Sequence, residues 1–504
     1  MRRWINTTGA AFLLAVALAT GADAAVRIEG GEGAFPTIQA AIDAAPDNAV
    51  IEIDSGSYPE TLTIGKPLTL RGLDAGGAKP RLDGGKGPSA ITITAADVTI
   101  DGLDISLSAA RRMKFGVFSA YSEEACVMVR AGGAVISNSR MTGCHYGIFV
   151  RAGDGFTIEG NEIADNLFGG IMILNSRNGA IRGNRVDANA YGGISVGSVI
   201  FPPGMMTALR PLAGDVLITE ETRSLEQAMS TDIEINGNTV SENGHTGIGI
   251  GGAARVRIVD NEAVGNGGAP VPRSNPPFVF GSSATIRGYG IGLICDAREN
   301  QVKNNRATGN DSHGILLDTA FDNDVTANIV RANEVGIGVF GSTANRFADN
   351  MVTDNTGTGI RLERGLATNP PPVLNLLSGN DLKDNGINAY DTSGRDTAPA
   401  RVQGTPKGGK LGASDLSRAN QWDDGTRGNH FSDFDEDSEG FKDANGDGIG
   451  DTSHPIPGGK AVDRFPLQAA VKAGALDPAL PSGLVLTACG FPGACLTDSG
   501  CQLQ

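Results

Sequence analysis

Aromatic residues are scarce in this chain: Phe, Trp and Tyr make up 5% of its 504 residues, which starves a conventional globular core of large rings. Cations are short too. With 41 Lys and Arg against 57 Asp and Glu the formal net charge is -16, and a protein that wraps nucleic acid needs the opposite balance, so nucleic acid is not an expected partner. Long apolar runs are also missing. The run at residues 10–19 is too short to span a bilayer and no other stretch reaches the length, so no transmembrane anchor is expected.

Residues 1–24 read as an export signal: Arg2 and Arg3, the short apolar run, then Ala22-Asp23-Ala24 as a small-residue cleavage site. Twin arginines alone do not complete the twin-arginine motif, so ordinary secretion is expected. The mature chain is then secreted or periplasmic, where disulfides are permitted. Cys126 and Cys144 lie less than one repeat apart and are a candidate pair. Cys295 stands alone in the repeats, and Cys489, Cys495 and Cys501 form an evenly spaced trio near the end, open to stapling or to thiolate metal binding.

What the chain does have is glycine, 72 residues of it, and a beat. Asn138, Asn161 and Asn184 are spaced by 23, as are Asn238 and Asn261, and Asn305, Asn328 and Asn350 follow at 23 and 22. Ile148, Ile171 and Ile194 keep the same step, then Ile291, Ile315, Ile337 and Ile360, each preceded by Gly. A period in this range means stacked supersecondary units. The unit is too short for paired helices and is broken by Gly, Asn and Asp, so each repeat is short strands joined by turns. The expected fold is all-β, a parallel β-solenoid whose thin interior is filled by Ile, Val and Leu. One Asn per coil suits an internal amide ladder, since Asn tolerates left-handed geometry and bonds neighbouring backbone.

Residues 35–45 carry apolar residues at helical spacing with Thr37 as N-cap, a helix placed to cover the open end of the first coil. Strands are predicted at 50–53, 62–64, 68–70, 91–93 and 98–100. The organisation expected is an N-terminal cap and first coils over 25–125, repeats over 126–390, a closing segment over 391–470, and a Cys-containing tail over 471–504. Asn184 to Asn238 is 54 residues, 31 more than one coil, and Asn261 to Asn305 is 44, an excess of 21. These excursions, near 197–230 and 267–287, leave the solenoid as loops, with a third at 366–372.

Both ends of the mature chain resemble a known group. Ile38-Gln39-Ala40-Ala41-Ile42, Lys66-Pro67-Leu68-Thr69-Leu70-Arg71-Gly72 and Asp97-Val98-Thr99-Ile100-Asp101-Gly102-Leu103 look like the opening of right-handed parallel β-helix proteins of the NosD type. Gly428-Asn429-His430-Phe431-Ser432-Asp433, the run from Asn445 to Asp451 and Val462-Asp463-Arg464-Phe465-Pro466-Leu467 look like that group's close. The resemblance implies a right-handed parallel β-helix outside the cytoplasm. It also implies a function for which the group's named member stands, as a periplasmic accessory factor in copper-site assembly with a periplasmic protein partner. Against copper, the repeats lack a His- or Met-rich stretch, and Met205-Met206 is the only methionine pair.

Used as a ruler, the beat exposes a second column. His145, Phe168, Tyr191 and His245 stand three before a Gly-Ile isoleucine, and Tyr289 and His313 stand two before one. Just past the same strand lie Arg151, Asn175, Arg177, Cys295, Asp296, Arg298 and Asp318. Such a ladder suits an extended polysaccharide, with sugar rings on Tyr and Phe faces and charged groups on hydroxyls or carboxylates. Lyase or C5-epimerase chemistry on a uronate needs a cation, a base for the C5 proton and an acid. Arg298 or Arg177, His245 or His313, and Tyr191 or Tyr289 are the candidates, with Asp318 beside them; His145, Phe168, Arg151, Asn175, Arg177 and Asp296 are candidate substrate contacts. The region around Asp311-Ser312-His313-Gly314 is distantly similar to mannuronan C5-epimerases, but their Asp-Pro-His signature is absent. Solenoid turns also accept His and Tyr as packing residues, so the column fits simple edge packing as well.

Asp443, Asn445, Asp447 and Asp451 alternate as oxygen ligands do in a calcium loop, with Gly448 at the sixth position. His454 stands where the bidentate Glu of such a loop is expected. Structural calcium in the closing segment is one reading and a solvated acidic turn the other.

Overall fold

The computed structural model describes residues 25–74, 76–108, 124–197, 229–268, 288–365, 371–394 and 419–470. The expected export signal, Met205-Met206, the three tail cysteines and most of the loop excursions lie outside the described residues. Three long sheets of 13, 12 and 13 strands run side by side, and almost every pairing is parallel. One coil is built from Tyr146–Arg151, Thr157–Glu159 and Glu162–Ala164, after which Gly169–Leu174 opens the next. The architecture is a right-handed parallel β-helix. Predicted strands at 50–53, 62–64, 68–70 and 91–93 are present, and that at 98–100 starts one residue later, as Thr99–Asp101.

Strand alternation aims every second side chain inward, and parallel pairing in register stacks like on like. Ile148 sits beside Ile171, then Ile194, Ile248, Ile291 and Ile315, all at most 1% exposed. Each such side chain contributes about 1.5–3 kcal/mol on burial. The glycine before each isoleucine has a steric cause. A Cβ on Gly290 would lie 2.7 Å from both the Asn310 side-chain nitrogen and the Gly314 carbonyl of the next coil.

Asparagines form three internal ladders, not one. Asn184 shows the geometry: its Oδ1 accepts from the backbone N–H and the Nδ2 of Asn161, both at 3.0 Å, while its own Nδ2 donates to Ile158 O and to Asn238 Oδ1 at 2.9 Å. A second ladder runs from Asn166 through Asn189 and Asn243 to Asn385, and a third from Asn300 to Asn420. Asn138 is not a rung. It is exposed with φ +48°, and Ser139 takes the ladder position, its N–H donating to Asn161 Oδ1 at 3.0 Å. The left-handed residue falls one place before the rung, as at Gly160, Gly183 and Asp260, so the ladder asparagines themselves do not use that conformation.

The ends are closed by different means. At the start, the helix Ile38–Ala44 buries Ile38, Ala41 and Ile42, with Thr37 Oγ1 accepting from Ala40 N at 3.0 Å. Glu60 accepts from Ile38 N and Gln39 N at 2.9 and 3.1 Å, which satisfies two more orphan donors of the first turn. At the other end each ladder runs into a carboxylate. Asn429 donates its N–H and its Nδ2 to Asp463 Oδ2 at 2.6 and 3.1 Å, and Asn420 Nδ2 reaches both oxygens of Asp391 at 3.1 Å. Asn385 passes through Asn388 to Asp433. Inside the solenoid wall, Cys126 and Cys144 form the expected disulfide, with Cα atoms 5.4 Å apart.

His430 ties the closing segment to the last coil: Nδ1 lies 2.6 Å from Asp381 and Nε2 3.0 Å from Asp435. Burial pulls its pKa down, but the two carboxylates outweigh it and the net direction is up. Burial also pushes the Asp463 carboxyl up to about 7, against the hydrogen bonds from Asn429 and Phe465. A raised folded pKa gives stability that is full below the unfolded value and lost as pH rises through the folded one, for either group. The melting temperature is therefore expected to fall from about pH 4 to about pH 7 as Asp463 ionises and to go on falling above about pH 6.5 as His430 loses its proton, and His430→Asn should remove the upper part of that fall; a flat profile in the parent protein contradicts the assignment. Gly290→Ala is expected to cost about 1–3 kcal/mol, read as a lower urea midpoint.

Candidate functional site

The 12-stranded sheet carries the candidate residues on its outer face. In Thr246–Gly251, Ile248 and Ile250 belong to the interior and Gly249 and Gly251 face out; alternation breaks at Gly247, whose Cβ would meet the interior Asn266 side chain, so Thr246 lies outward with Gly249, its methyl 3.1 Å from a Cβ placed there. Two apolar clusters separate from the interior lie on this face. Met128, Tyr146, Phe149, Phe168, Met172 and Leu174 make one, and Tyr289, Ile294, Cys295 and Leu316 the other. Between them the outward positions are nearly bare: Ser195 is in register with Gly249 and Gly292, and Gly197 with Gly251.

His145, Phe168, Tyr191 and His245 do form a column, one ring per coil. Their centroids are 5.2, 4.9 and 4.8 Å apart and their planes within 17° of parallel. That geometry corrects the expectation of sugar rings lying on the Tyr and Phe faces, since both faces of Phe168 and of Tyr191 are covered by ring neighbours. Tyr289 and His313 are not in this column. Register pairs Thr246 with Tyr289 and Tyr289 with His313, one position further along, and His245 meets Tyr289 edge-on at 5.6 Å and 81°.

Glycines let these two rings lie against the sheet. A side chain at Gly292 would overlap the Tyr289 ring, and one at Gly338 would overlap His313. The sequence does carry this signal as a second glycine after the isoleucine, in Gly290-Ile291-Gly292 and Gly336-Ile337-Gly338, and it is distinct from the first. Each histidine has a neighbouring hydroxyl that the periodic reading passed over. His245 Nδ1 is 2.8 Å from Thr246 Oγ1, and His313 Nδ1 is 2.8 Å from Ser312 Oγ.

Burial sets the protonation states. It pushes the His313 imidazole down to about 4, helped by the Arg361 charge, so the ring is neutral near pH 7. Burial likewise lifts the Tyr289 phenol to about 12; a hydrogen bond from Thr246 lowers it and the nearby Cys295 and Asp318 raise it. Tyr191 is raised further, by burial and then by Tyr289. Burial lowers Arg151.

The charged candidates are spread out. Asp318 is fully buried at the end of His313–Asp318, in register with Ile294 and Phe340. Asn175 and Cys295 occupy the left-handed turn that follows the strand, at φ +49° and +50°. Arg177 and Arg298 share one column but are separated by three coil steps, through Thr231 and Ala254, roughly 14 Å at the usual strand spacing. They cannot serve one sugar carboxylate together. Arg298 is held by Asp296 at 3.5 Å and touches Met229 Sδ at 3.3 Å.

In the closing segment Asp443 accepts from Gly446 N and Gly448 N at 2.7 and 2.8 Å, Asp451 accepts from Ala444 N at 2.8 Å, and Asn445 donates to Asp447 at 3.0 Å. Among the described residues no group of three or more His, Cys, Asp or Glu gathers as a metal ion would need. No described helix is long and apolar enough to cross a membrane.

A coil with three sheets, inward aliphatic columns and one chemically varied outer face defines a class, and the sequence family agrees with it. The chain belongs to the right handed beta helix region family, whose model matches residues 88–201 and 224–394. A search of curated proteins returns no match. Among solved structures, the chain is similar to a double mutant of the periplasmic alginate epimerase AlgG, at 15% identity over 68% of this chain and 81% of that one, TM-score 0.42. It is also similar to the A-module of the Azotobacter vinelandii mannuronan C-5 epimerase AlgE4, at 14% identity over 69% and 90%, TM-score 0.33. Pectate lyase Pel9A follows at 16% over 64% and 72%, TM-score 0.34.

If the ring column is architecture, Phe168→Ala should destabilise by about 3–5 kcal/mol, seen in a urea melt. A stability change near zero would contradict the packing role.

Proposed function

We propose that this chain binds a polysaccharide on the outer face of the 12-stranded sheet and carries acid–base groups able to modify it. One observation carries the reading: His245, Tyr289 and His313, with Asp318, stand on three consecutive coils of one outward face, in environments that keep a phenol protonated and an imidazole neutral. A neutral imidazole is a base and a protonated phenol an acid, which are two of the three parts of uronate elimination or C5 epimerisation. The third part, a cation, falls to Arg298, which Asp296 already engages. Recognition of the polymer is therefore the conclusion, and lyase or epimerase action its catalytic extension.

The setting we propose is secreted or periplasmic, on the leader-like residues 1–24 and the Cys126–Cys144 disulfide. Binding to an array of acidic and neutral polysaccharides tests the function. Retention on at least one glycan, weakened tenfold or more by Tyr289→Phe or His245→Gln (about 1.4 kcal/mol), is expected. No retention together with stoichiometric copper uptake would replace this reading with the NosD-type accessory role, in which a periplasmic protein is the partner. No retention and no copper would leave a passive scaffold. A new ultraviolet absorbance on uronate polymers reports the lyase branch.

For the closing segment we propose structural calcium, on the alternating oxygens of Asp443, Asn445, Asp447 and Asp451 alone. The melting temperature is then expected to drop in chelator, and an unchanged melt disposes of it.

A further inference from the structure

We propose that the Cys126–Cys144 disulfide is a covalent rung: it replaces the glycine–asparagine pair that closes the later coils, and it makes assembly of the ring column depend on oxidation of two thiols. Register carries the first half. Ala125 and Val127 pair with Tyr146 and Ile148, so Cys126 stands where the next coils place Gly147, Gly170 and Gly193. A Cβ on those glycines would lie 3.3, 3.1 and 2.9 Å from the Nδ2 of Asn166, Asn189 and Asn243. Each glycine clears room for a rung. Cys144 holds the rung position one coil before Asn166: its N–H donates to Asn166 Oδ1 at 3.1 Å, as Asn166 N–H donates to Asn189 Oδ1 at 3.2 Å. Cys126 Sγ lies 3.4 Å from Ile105 O, and Ile105 is in register with Met141, whose carbonyl takes the Asn166 amide. Sulfur fills the place that an amide fills from Asn166 onward.

The consequence reaches the outer face. The two cysteines are 18 residues apart, so the bond closes one whole coil through Ala125–Val129, Val135–Ser137 and Arg140–Thr142. Both adjoin the first apolar cluster: Ala125 and Met128 lie on the Cys126 strand, and His145 and Tyr146 follow Cys144. The Cys144 and His145 carbonyls accept from the Leu167 and Phe168 N–H groups at 2.7 and 2.9 Å, which sets the Phe168 ring against His145, with centroids 5.2 Å apart. A pair of thiols cannot hold this corner as well. S–H is a weak donor, so the reduced coil loses its covalent closure without gaining the two hydrogen bonds of an amide. Both cysteines are 0% exposed, so the bond forms as the coil closes and is shielded afterwards. The step is thiol–disulfide exchange with an external disulfide. One cysteine thiolate attacks the external disulfide and releases a thiolate, and the second cysteine thiolate then displaces the other half. Each cysteine gives up one proton and one electron, and the external disulfide leaves as two thiols.

The test unfolds the full-length protein in urea with a dithiol and refolds it either with the dithiol or with glutathione disulfide. Refolding with the dithiol is expected to lower the melting temperature by about 4 °C or more and to speed amide exchange at Leu167 and Phe168 by about tenfold or more. Cys126→Gly together with Cys144→Asn writes the later coils' pair into this one. That variant should recover at least half of both losses and be indifferent to the dithiol, which separates the effect from Cys295 and the tail cysteines. Cys126→Ser together with Cys144→Ser should recover neither. Equal melting and equal exchange in the two refolded parents overturn the dependence on oxidation, and this comparison needs no variant. A Gly–Asn variant no better than the serine pair overturns the replacement.

Discussion

The buried side-chain amide of asparagine, repeated once per coil at up to three corners, is the interaction on which the solenoid depends. An amide inside an apolar wall is costly unless every donor and acceptor is met, and each rung meets that demand only through the coils before and after it. The ladders therefore have a direction. Every Nδ2 gives one hydrogen back to a carbonyl of the preceding coil and the other on to the next asparagine toward the C-terminal end, and the rung's Oδ1 accepts from the coil before it, so the C-terminal end presents surplus donors and the opposite end surplus acceptors. Backbone N–H groups of Ser139, Cys144 and Val256 satisfy the acceptors. The donors need oxygen, and Asp463, Asp391 and Asp433 supply it. The closing segment is thus the terminator that the ladder polarity requires, and Gly428 is glycine because a Cβ would overlap the Asp463 carboxylate.

The same constraint shapes the outer face. With coil height and register locked by the interior, outward residues have no freedom to slide, and neighbours in adjacent coils meet at the strand spacing. Four rings in such a column must stack on one another. They become a wall whose faces are used up, and in the adjacent column Thr246, Tyr289 and His313 set hydroxyl, phenol and imidazole side by side over a glycine floor. Low exposure then tunes this column: it keeps Tyr289 protonated and His313 neutral.

Much of this was legible in the chain itself. The Gly-Ile pairs, the helix capped by Thr37 and the early strands follow from local chemistry repeated at a fixed step, and repetition amplifies a weak local signal. The candidate column was legible in part. His145, Phe168, Tyr191 and His245 share a spacing, but Tyr289 and His313 differ from it by a single residue, and one residue moves a side chain to another column. Asn138 shows the same limit: it keeps the 23-residue step from Asn161, yet Ser139 is the rung, because the turn places its left-handed residue just before the ladder.

The sequence by itself determined the period, the inward aliphatic and amide columns and the need for caps, since these depend on contacts that recur every coil. Only the tertiary structure decided which carboxylates end the ladders, which ring faces are covered, and that Tyr289 lies in register beside Thr246. Asp463 lies 34 residues from Asn429, and Tyr289 is brought to Thr246 across an interrupted coil. Neither pairing repeats, so no periodic pattern announces it, and protonation follows from burial that exists only once the coils are stacked.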